Sequence, residues 1–147
     1  MDKNKVIGIA SDHAGFSLKE EVKKFLEGKG FECIDFGTNS EESVDYPDFI
    51  HPLAAKVNAG ILERAVIICG SANGVSMVAN KYENVRAAIC WNYEITKLAR
   101  MHNDANLIAL PARFIDGQSA LDFVEIFINQ DFEGGRHLRR VNKIKRQ

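Results

Sequence analysis

The segment Cys69-Gly70-Ser71-Ala72-Asn73-Gly74 places a thiol next to a run of small residues. Small residues between a strand and a helix let backbone amides approach an anion, and the amino end of the helix adds to that attraction. The segment therefore suits a developing oxyanion, with Cys69 as a candidate base whose thiolate is favoured there. Plain core packing is the alternative role for this cysteine. A nucleotide site is not indicated, because the segment has neither Gly-Lys-Ser/Thr nor GxGxxG.

Asp12 and His13 offer a carboxylate and an imidazole on one turn, directly after the first apolar run. These groups are able to orient hydroxyls, to transfer a proton or to bind a phosphate. A capping aspartate beside a surface histidine is the alternative interpretation. Arg113 follows the last short apolar run and adds a cation to the set.

A second polar cluster, His102-Asn103-Asp104-Ala105-Asn106, precedes an apolar run instead of following one. Asn and Asp are common turn formers, so the cluster has a structural interpretation. A parallel sheet would place His102 at the edge opposite Cys69. His102 is then either structural or acts on the site of a neighbouring subunit, and the residues alone leave that choice open.

The end of the chain is basic. Six Lys and Arg residues and no acid follow position 135, whereas the first 135 residues carry 13 basic and 20 acidic groups. Arg136 and Arg140 lie one helical turn apart on one face, and two guanidinium groups on one face suit a phosphate. A solvated basic tail is the alternative. A nucleic-acid patch is only weakly indicated, because no aromatic residues are interleaved with the charges.

The composition is that of an ordinary globular chain, with 147 residues, 46% hydrophobic and 27% charged, and a net charge of −1. The length suits one domain, residues 1–147, with 132–147 as a basic segment. No apolar run approaches the length of a membrane span, and no secretory leader is recognisable. Three separated cysteines without a CxxC pair argue against a disulfide framework or a zinc site, and favour the reducing cytoplasm.

Apolar runs alternate with helical patterns five times. Strands are predicted at residues 6–10, 31–36, 65–69, 87–90 and 107–110. Helices are predicted from a capping box at Ser17 to about residue 29, at 46–58, at 74–81, from a cap at Asn92 to about residue 101, and at 115–129. The alternation predicts an α/β fold, a five-stranded parallel sheet with helices on both faces. Ligands of such sheets bind beyond the carboxyl ends of the strands, where Asp12, Cys69 and Arg113 fall.

Taken together and in order, these segments resemble the type B ribose-5-phosphate isomerases, within a wider family that includes galactose-6-phosphate isomerase subunits. The matching segments span nearly the whole chain: 11–15, 45–48, Cys69-Gly70-Ser71 with Gly74 and 79–81, 102–106, and 134–137 with Arg140. The resemblance implies a single-domain Rossmann-like fold and the aldose–ketose isomerisation of a phosphorylated pentose, without metal or cofactor. It also implies a homodimer or a dimer of dimers whose active sites are shared between subunits.

The resemblance implies a role for each candidate residue. Cys69 would be the base that moves a proton between C2 and C1 of the open sugar, with Ser71 assisting and the amides of 70–74 holding the enediolate oxygen. His102, in a partner's site, would catalyse ring opening. Sugar hydroxyls or the ring oxygen would be bound by Asp12, Tyr46 and Asn103. The phosphate would be held by His13, Arg113, Arg136 and Arg140.

Two positions qualify the resemblance. Some relatives carry a glutamate base four positions after the serine of the turn; here that position is Val75, so the cysteine version applies. Ala72 stands where the family usually has glycine. If this position needs a positive φ, alanine is strained there and the oxyanion pocket is narrowed. Two alternatives follow: an isomerase of a six-carbon sugar phosphate such as allose or galactose 6-phosphate, or a non-catalytic sugar-phosphate-binding module.

Overall fold

The computed structural model describes residues 5–146, so residues 1–4 and 147 of the predicted domain lie outside it. Within this range the strands β1 to β5 are Val6–Ser11, Glu32–Asp35, Ala65–Cys69, Ala87–Ile89 and Leu107–Pro111. The helices α1 to α6 are Phe16–Gly28, Pro47–Asn58, Asn73–Ala79, Tyr93–Met101, Gly117–Asn129 and Arg136–Asn142. All strand pairs are parallel, in the order β2-β1-β3-β5-β4. The predicted five-stranded parallel sheet is confirmed.

Helices cover both faces of the sheet. On one face, Ile7 and Ile9 of β1 pack with residues of α1, α4 and α5. On the other face, Ala65 and Ile67 of β3 pack with residues of α2 and α3. Successive side chains of a strand point to opposite faces, so a strand that is buried on both sides needs a nearly continuous apolar run. The predicted three-layer arrangement is therefore confirmed.

The strand order reverses between β1 and β3. The chain leaves β1 for the outer strand β2 and returns to pair β3 with the other side of β1. In open parallel sheets a crevice opens at this point, beyond the carboxyl ends of the strands. Asp12 follows β1 and Cys69 ends β3, and the Asp12 amide donates to the carbonyl oxygen of Ile68 at 3.2 Å. Two of the predicted site residues thus flank the crevice.

The capping box predicted at Ser17 is wrong. Helix α1 begins at Phe16 and its N-cap is Gly15, two residues before Ser17, with no capping side chain. Ser17 is exposed, and Glu20 pairs with the Lys19 ammonium at 3.1 Å instead. Packing sets the start of the helix: a Cβ on Gly15 would lie 2.7 Å from the carbonyl oxygen of Ile68. Only glycine allows so close an approach to β3.

The other predicted boundaries agree with the structure to within two residues. The observed β3 has the predicted residues. The Asn92 side chain caps α4 as predicted, because its Oδ1 accepts the amide of Ile95 at 2.8 Å. Gly30 follows α1 with a φ of +91°, the left-handed conformation that commonly ends helices. Within residues 5–146, no helix combines the length and apolar character needed to cross a membrane.

Candidate active site

Cys69 lies at the carboxyl end of β3 and is almost buried, with 6% of its surface exposed. Its carbonyl accepts the amide of Ala112 at 2.8 Å, which fixes the end of β3 against the end of β5. Its Sγ accepts the amide of Ala72 at 3.1 Å. An N–H donor aimed at sulfur stabilises the negative charge of a thiolate, the form in which cysteine acts as a base.

The turn after Cys69 depends on an unusual backbone conformation at Ala72. This residue has φ +67° and ψ −3° and is fully buried. Its carbonyl accepts the Ser76 hydroxyl at 2.6 Å, which holds the turn onto α3. The position therefore requires the left-handed conformation that glycine adopts freely, and alanine there costs about 1–3 kcal/mol. Ala72 therefore has the positive φ at which the sequence analysis expects alanine to be strained.

Two amides of the turn already have acceptors. The Ala72 amide donates to the sulfur of Cys69, and the Asn73 amide donates to the Ser71 hydroxyl oxygen at 3.3 Å. The prediction that the amides of residues 70–74 hold an oxyanion therefore applies to fewer of these amides. The Ala72 amide is bonded to the Cys69 sulfur, so an oxyanion would be held by the other amides of the segment.

Tyr46 lies over Gly74, where its ring is in close contact with the start of α3. A Cβ placed on Gly74 would be 2.5 Å from Cζ, 2.6 Å from Cε1 and 2.8 Å from the hydroxyl oxygen of Tyr46. Tyr46 is the N-cap of α2 and is 36% exposed. The loop before α2 thus brings a phenol to the segment that follows Cys69, and only glycine at position 74 leaves room for it.

Arg113 lies over Gly70 on the other side of the turn. Its amide donates to the Gly70 carbonyl at 3.1 Å, and a Cβ on Gly70 would be 3.2 Å from Nη1 of the guanidinium. Arg113 is exposed, so its free edge is available to an anion. The end of β5 therefore adds one cation to the crevice.

Asp12 and His13 complete this edge of the sheet. Oδ1 of Asp12 accepts the amide of Gly15 at 3.1 Å, so one of its oxygens is used at the start of α1. Nδ1 of His13 accepts the amide of Val44 at 3.1 Å, which ties the loop that carries Tyr46 to the end of β1. This bond closes the turn before α1 and is not a helix cap, because Gly15 is the N-cap and no side chain caps the helix. It leaves Oδ2 for a ligand.

The other two cysteines differ from Cys69. Burial raises the pKa of the Cys33 thiol to about 11, and nearby Glu27 adds to the rise. Burial also raises the pKa of the Cys90 thiol to about 11. Both thiols are therefore protonated at neutral pH and unsuited to act as bases. This agrees with the structural role expected for them.

His102 lies in a separate cluster at the amino ends of the strands, the edge of the sheet opposite Cys69. It is the C-cap of α4, and its ring stacks on that of His137 at a centroid distance of 4.1 Å and an interplanar angle of 12°. With Asn103 and Arg140 these rings line a cavity of about 410 Å³. Arg136 and Arg140 lie on α6, one turn apart as predicted. The structure therefore brings His102, Asn103 and the arginine segment together.

Two residues of this cluster were not predicted from the sequence. His137 is buried, and Glu133 places Oε2 3.4 Å from Nε2 of His137 and 3.9 Å from Nε2 of His102. The Glu133–His137 spacing of four residues is a weak signal in the sequence, and His137 also lies in the segment 134–137 that carries the family resemblance. The ligand atoms of His102, Glu133 and His137 lie within 4.8 Å of one another, as a metal site would need. Arg140 lines the same cavity, and its positive charge opposes a cation there.

The two groups of candidate residues are separated by the length of the sheet. His102 precedes β5 and Arg113 follows it; β5 has five residues, and at about 3.3 Å each it spans roughly 16 Å. One chain therefore presents two partial sites. A cavity of about 660 Å³ contains none of the predicted site residues.

The fold is a three-layer α/β sandwich around a parallel sheet. A thiol, an imidazole and several guanidinium groups lie at the ends of its strands, and these groups suit acid–base chemistry on an anionic ligand. The sequence model of the ribose/galactose isomerases matches residues 7–144. The chain belongs to this family.

Individual relatives cover almost the whole chain. Ribose-5-phosphate isomerase B of Escherichia coli is 38% identical over 95% of this chain and 94% of that protein. The structure of ribose-5-phosphate isomerase B from Clostridium thermocellum is 47% identical with a TM-score of 0.92, covering 95% of this chain and 94% of that one. The Mycoplasma genitalium enzyme, solved with bound ribulose 5-phosphate, is 40% identical with a TM-score of 0.91, covering 95% and 93%.

Proposed function

We propose that this protein interconverts ribose 5-phosphate and ribulose 5-phosphate. The observation that carries the proposal is the Cys69 thiol, held at the crevice of the sheet with the Ala72 amide directed at its sulfur. Membership of the ribose/galactose isomerases supports it, as does the ribulose 5-phosphate bound to the related Mycoplasma genitalium structure. The reaction moves hydrogen between two carbons of one sugar and consumes no cofactor.

The Cys69 thiolate removes the proton from C2 of the open-chain aldose and returns it to C1. As it does so, the C1 carbonyl becomes a hydroxyl and the C2 hydroxyl becomes the carbonyl of the ketose. The enediolate between them carries negative charge on oxygen, which the remaining amides of residues 70–74 stabilise. Ser71 assists the proton exchange between the two oxygens.

The other candidate residues position the sugar. Asp12, Tyr46 and Asn103 bind hydroxyls or the ring oxygen, and His102 opens the ring. Binding a phosphate far from the reacting carbons supplies energy for this positioning. The phosphate is held by His13, Arg113, Arg136 and Arg140.

We propose that each site is formed by two copies of the chain, as a homodimer or a dimer of dimers. Cys69 and Arg113 lie at one edge of the sheet and His102 and Arg140 at the other. A single sugar phosphate is too short to reach across the sheet, whereas a twofold axis brings the edge of one copy to the opposite edge of the next. The segment 132–147 then contributes to the partner's site. A thiol base must stay reduced, so we place the protein in the cytoplasm.

The base is tested by turnover of ribose 5-phosphate with Cys69→Ala and Cys69→Ser. Both variants should lose at least about 100-fold in kcat, the usual contribution of general acid–base catalysis. Cys33→Ala, whose thiol lies on the outer strand β2, is the matched control and should keep wild-type turnover. Full activity of Cys69→Ala would show that another group is the base.

The shared site is tested by mixing two inactive variants, Cys69→Ala and His102→Ala, under conditions in which subunits exchange. A mixed dimer then contains one intact site and one doubly deficient site, so an equal mixture should recover about a quarter of the wild-type activity. Recovery of no activity in a mixture shown to contain mixed dimers would place both residues in a site of one chain.

The six-carbon alternative rests on the family, which includes galactose isomerases. The binding-module alternative rests on the strained backbone of Ala72, which lies next to the proposed base. A panel of phosphorylated aldoses, compared by kcat/KM, separates the pentose from the hexose activity. Tight binding of ribose 5-phosphate without any exchange of the C2 proton with solvent would favour the binding module.

A further inference from the structure

Glu133 lies between the basic end of the chain and His102. Its backbone amide donates to the carbonyl of Met101 at 3.0 Å, so the segment before α6 is anchored to the last residue of α4. His102 is the next residue after Met101. The fold therefore holds Glu133 beside His102 by a main-chain contact that does not depend on the Glu133 side chain.

The Glu133 carboxylate faces both imidazole rings. Its Oε2 is 3.4 Å from Nε2 of His137 and 3.9 Å from Nε2 of His102, and the two rings are stacked. The side chain of His137 is only 8% exposed, so that ring is the fixed partner of the stack. Burial lowers the pKa of His137, with further lowering by the charges of His102 and Arg136. His137 is therefore a neutral surface for the His102 ring at neutral pH.

Charged groups of both signs lie close to the two stacked rings. Arg136 and Arg140 on α6 add two cations close to the rings, and both lower the pKa of His137. Glu133 is the carboxylate that faces His102 in the described part of the chain.

We propose that Glu133 is a positioning residue that orients the His102 imidazole for ring opening. This deepens the proposed function and rests on it. The Glu133 carboxylate faces Nε2 of His102 at 3.9 Å, an electrostatic contact longer than a hydrogen bond, and His137 stacks on the flat side of the ring. The other ring nitrogen is thereby left for the sugar. Ring opening breaks the bond between C1 and the ring oxygen. The ring oxygen gains a proton, the C1 hydroxyl loses one, and C1 becomes the carbonyl carbon; both protons pass through an imidazole whose orientation is fixed.

The test separates ring opening from isomerisation. Ribose 5-phosphate is mostly cyclic, whereas ribulose 5-phosphate has no ring to open. Glu133→Gln keeps the size of the side chain and the backbone contact with Met101. We expect it to lower kcat for ribose 5-phosphate about tenfold, because the carboxylate charge that faces Nε2 of His102 is lost. The KM and the exchange of the C1 proton of ribulose 5-phosphate in D₂O should stay within about twofold of wild type.

Asp131→Asn, which removes an exposed carboxylate two residues earlier, is the matched control and should match wild type in both assays. The proposal is overturned if Glu133→Gln keeps the wild-type kcat for ribose 5-phosphate. It is equally overturned if the variant loses both activities in parallel, because Glu133 would then support the fold or the base. A wild-type protein without activity on either sugar would instead refute the proposed function, and the two failures are thus distinguished.

Discussion

Replacing Gly74 by alanine tests whether the Tyr46 ring is part of the site. The new Cβ would lie 2.5–2.8 Å from three atoms of that ring, whereas ordinary contacts are 3.4–4 Å. The ring must therefore retreat by about 1 Å, a displacement that is large for a group that positions substrate. Tyr46 is 36% exposed, so it has room to swing outward without unfolding the protein.

The expected effect is a loss of activity with little change in stability. A displaced phenol loses a hydrogen bond to the sugar worth about 1 kcal/mol, which is roughly fivefold in kcat/KM. Alanine in place of glycine within α3 favours the helix by up to about 1 kcal/mol, which offsets the strain of moving the ring. The free energy of unfolding of Gly74→Ala should thus stay within about 1 kcal/mol of wild type.

A double-mutant cycle isolates the contact. In Tyr46→Ala the ring is absent, so adding Gly74→Ala should cost nothing further in kcat/KM. The two single changes should therefore be strongly non-additive, as expected for residues in contact. Gly28→Ala is the matched control, because no atom lies within 4 Å of its new Cβ. Additive losses, or a Gly74→Ala enzyme with wild-type kcat/KM, would refute the placement of Tyr46 over Gly74.

Three further outcomes follow from the structure. Gly15→Ala places its Cβ 2.7 Å from the backbone oxygen of Ile68, which cannot move, so urea unfolding should show a loss of about 2 kcal/mol. Gly28→Ala should instead gain about 0.5 kcal/mol in the same assay, and a similar loss for both would refute the packing argument. Burial works against the charge of Asp35, but the Lys19 ammonium and other donors outweigh it and hold the pKa of Asp35 below its usual value. This carboxylate stabilises the fold above its unfolded pKa of about 4, and that stability is lost as pH falls through the lowered pKa. Asp35→Asn should therefore be less stable than wild type at pH 7, with the difference shrinking on acidification below about pH 4.

The sequence predicts most of the fold because the signals for it are local. The five residues of β3 are apolar and continuous, so β3 was placed without error. The side chain of Asn92 caps α4 within three residues of its own position. The helix start at Gly15 could not be predicted, because it depends on contact with Ile68, more than fifty residues away. Ser17 presented a local capping motif, and tertiary packing overrode it.

The residues of the candidate site show the same contrast between local signals and long-range packing. The carboxyl-edge residues were identifiable because each directly follows a strand, and the structure places Cys69 and Arg113 there. The contact of Tyr46 with Gly74 crosses a loop whose path the sequence does not determine. The stacking of His102 on His137 joins α4 to α6, and no local spacing relates those two helices. The strain at Ala72 was inferred only as a condition, since the φ of one turn residue depends on the packing around it.

The proposed function gives a role to two of the six basic residues at the end of the chain. Arg136 and Arg140 of the basic segment lie on α6, next to His102 and at the edge of the sheet opposite Arg113. A phosphate dianion that is bound by Arg113 and by the α6 arginines together would need both edges within the span of one ligand. Within a chain, roughly 16 Å of β5 lies between those edges. Both sets can therefore hold one phosphate only if α6 reaches the crevice of another copy, and in that case dimer formation and substrate binding use the same charges.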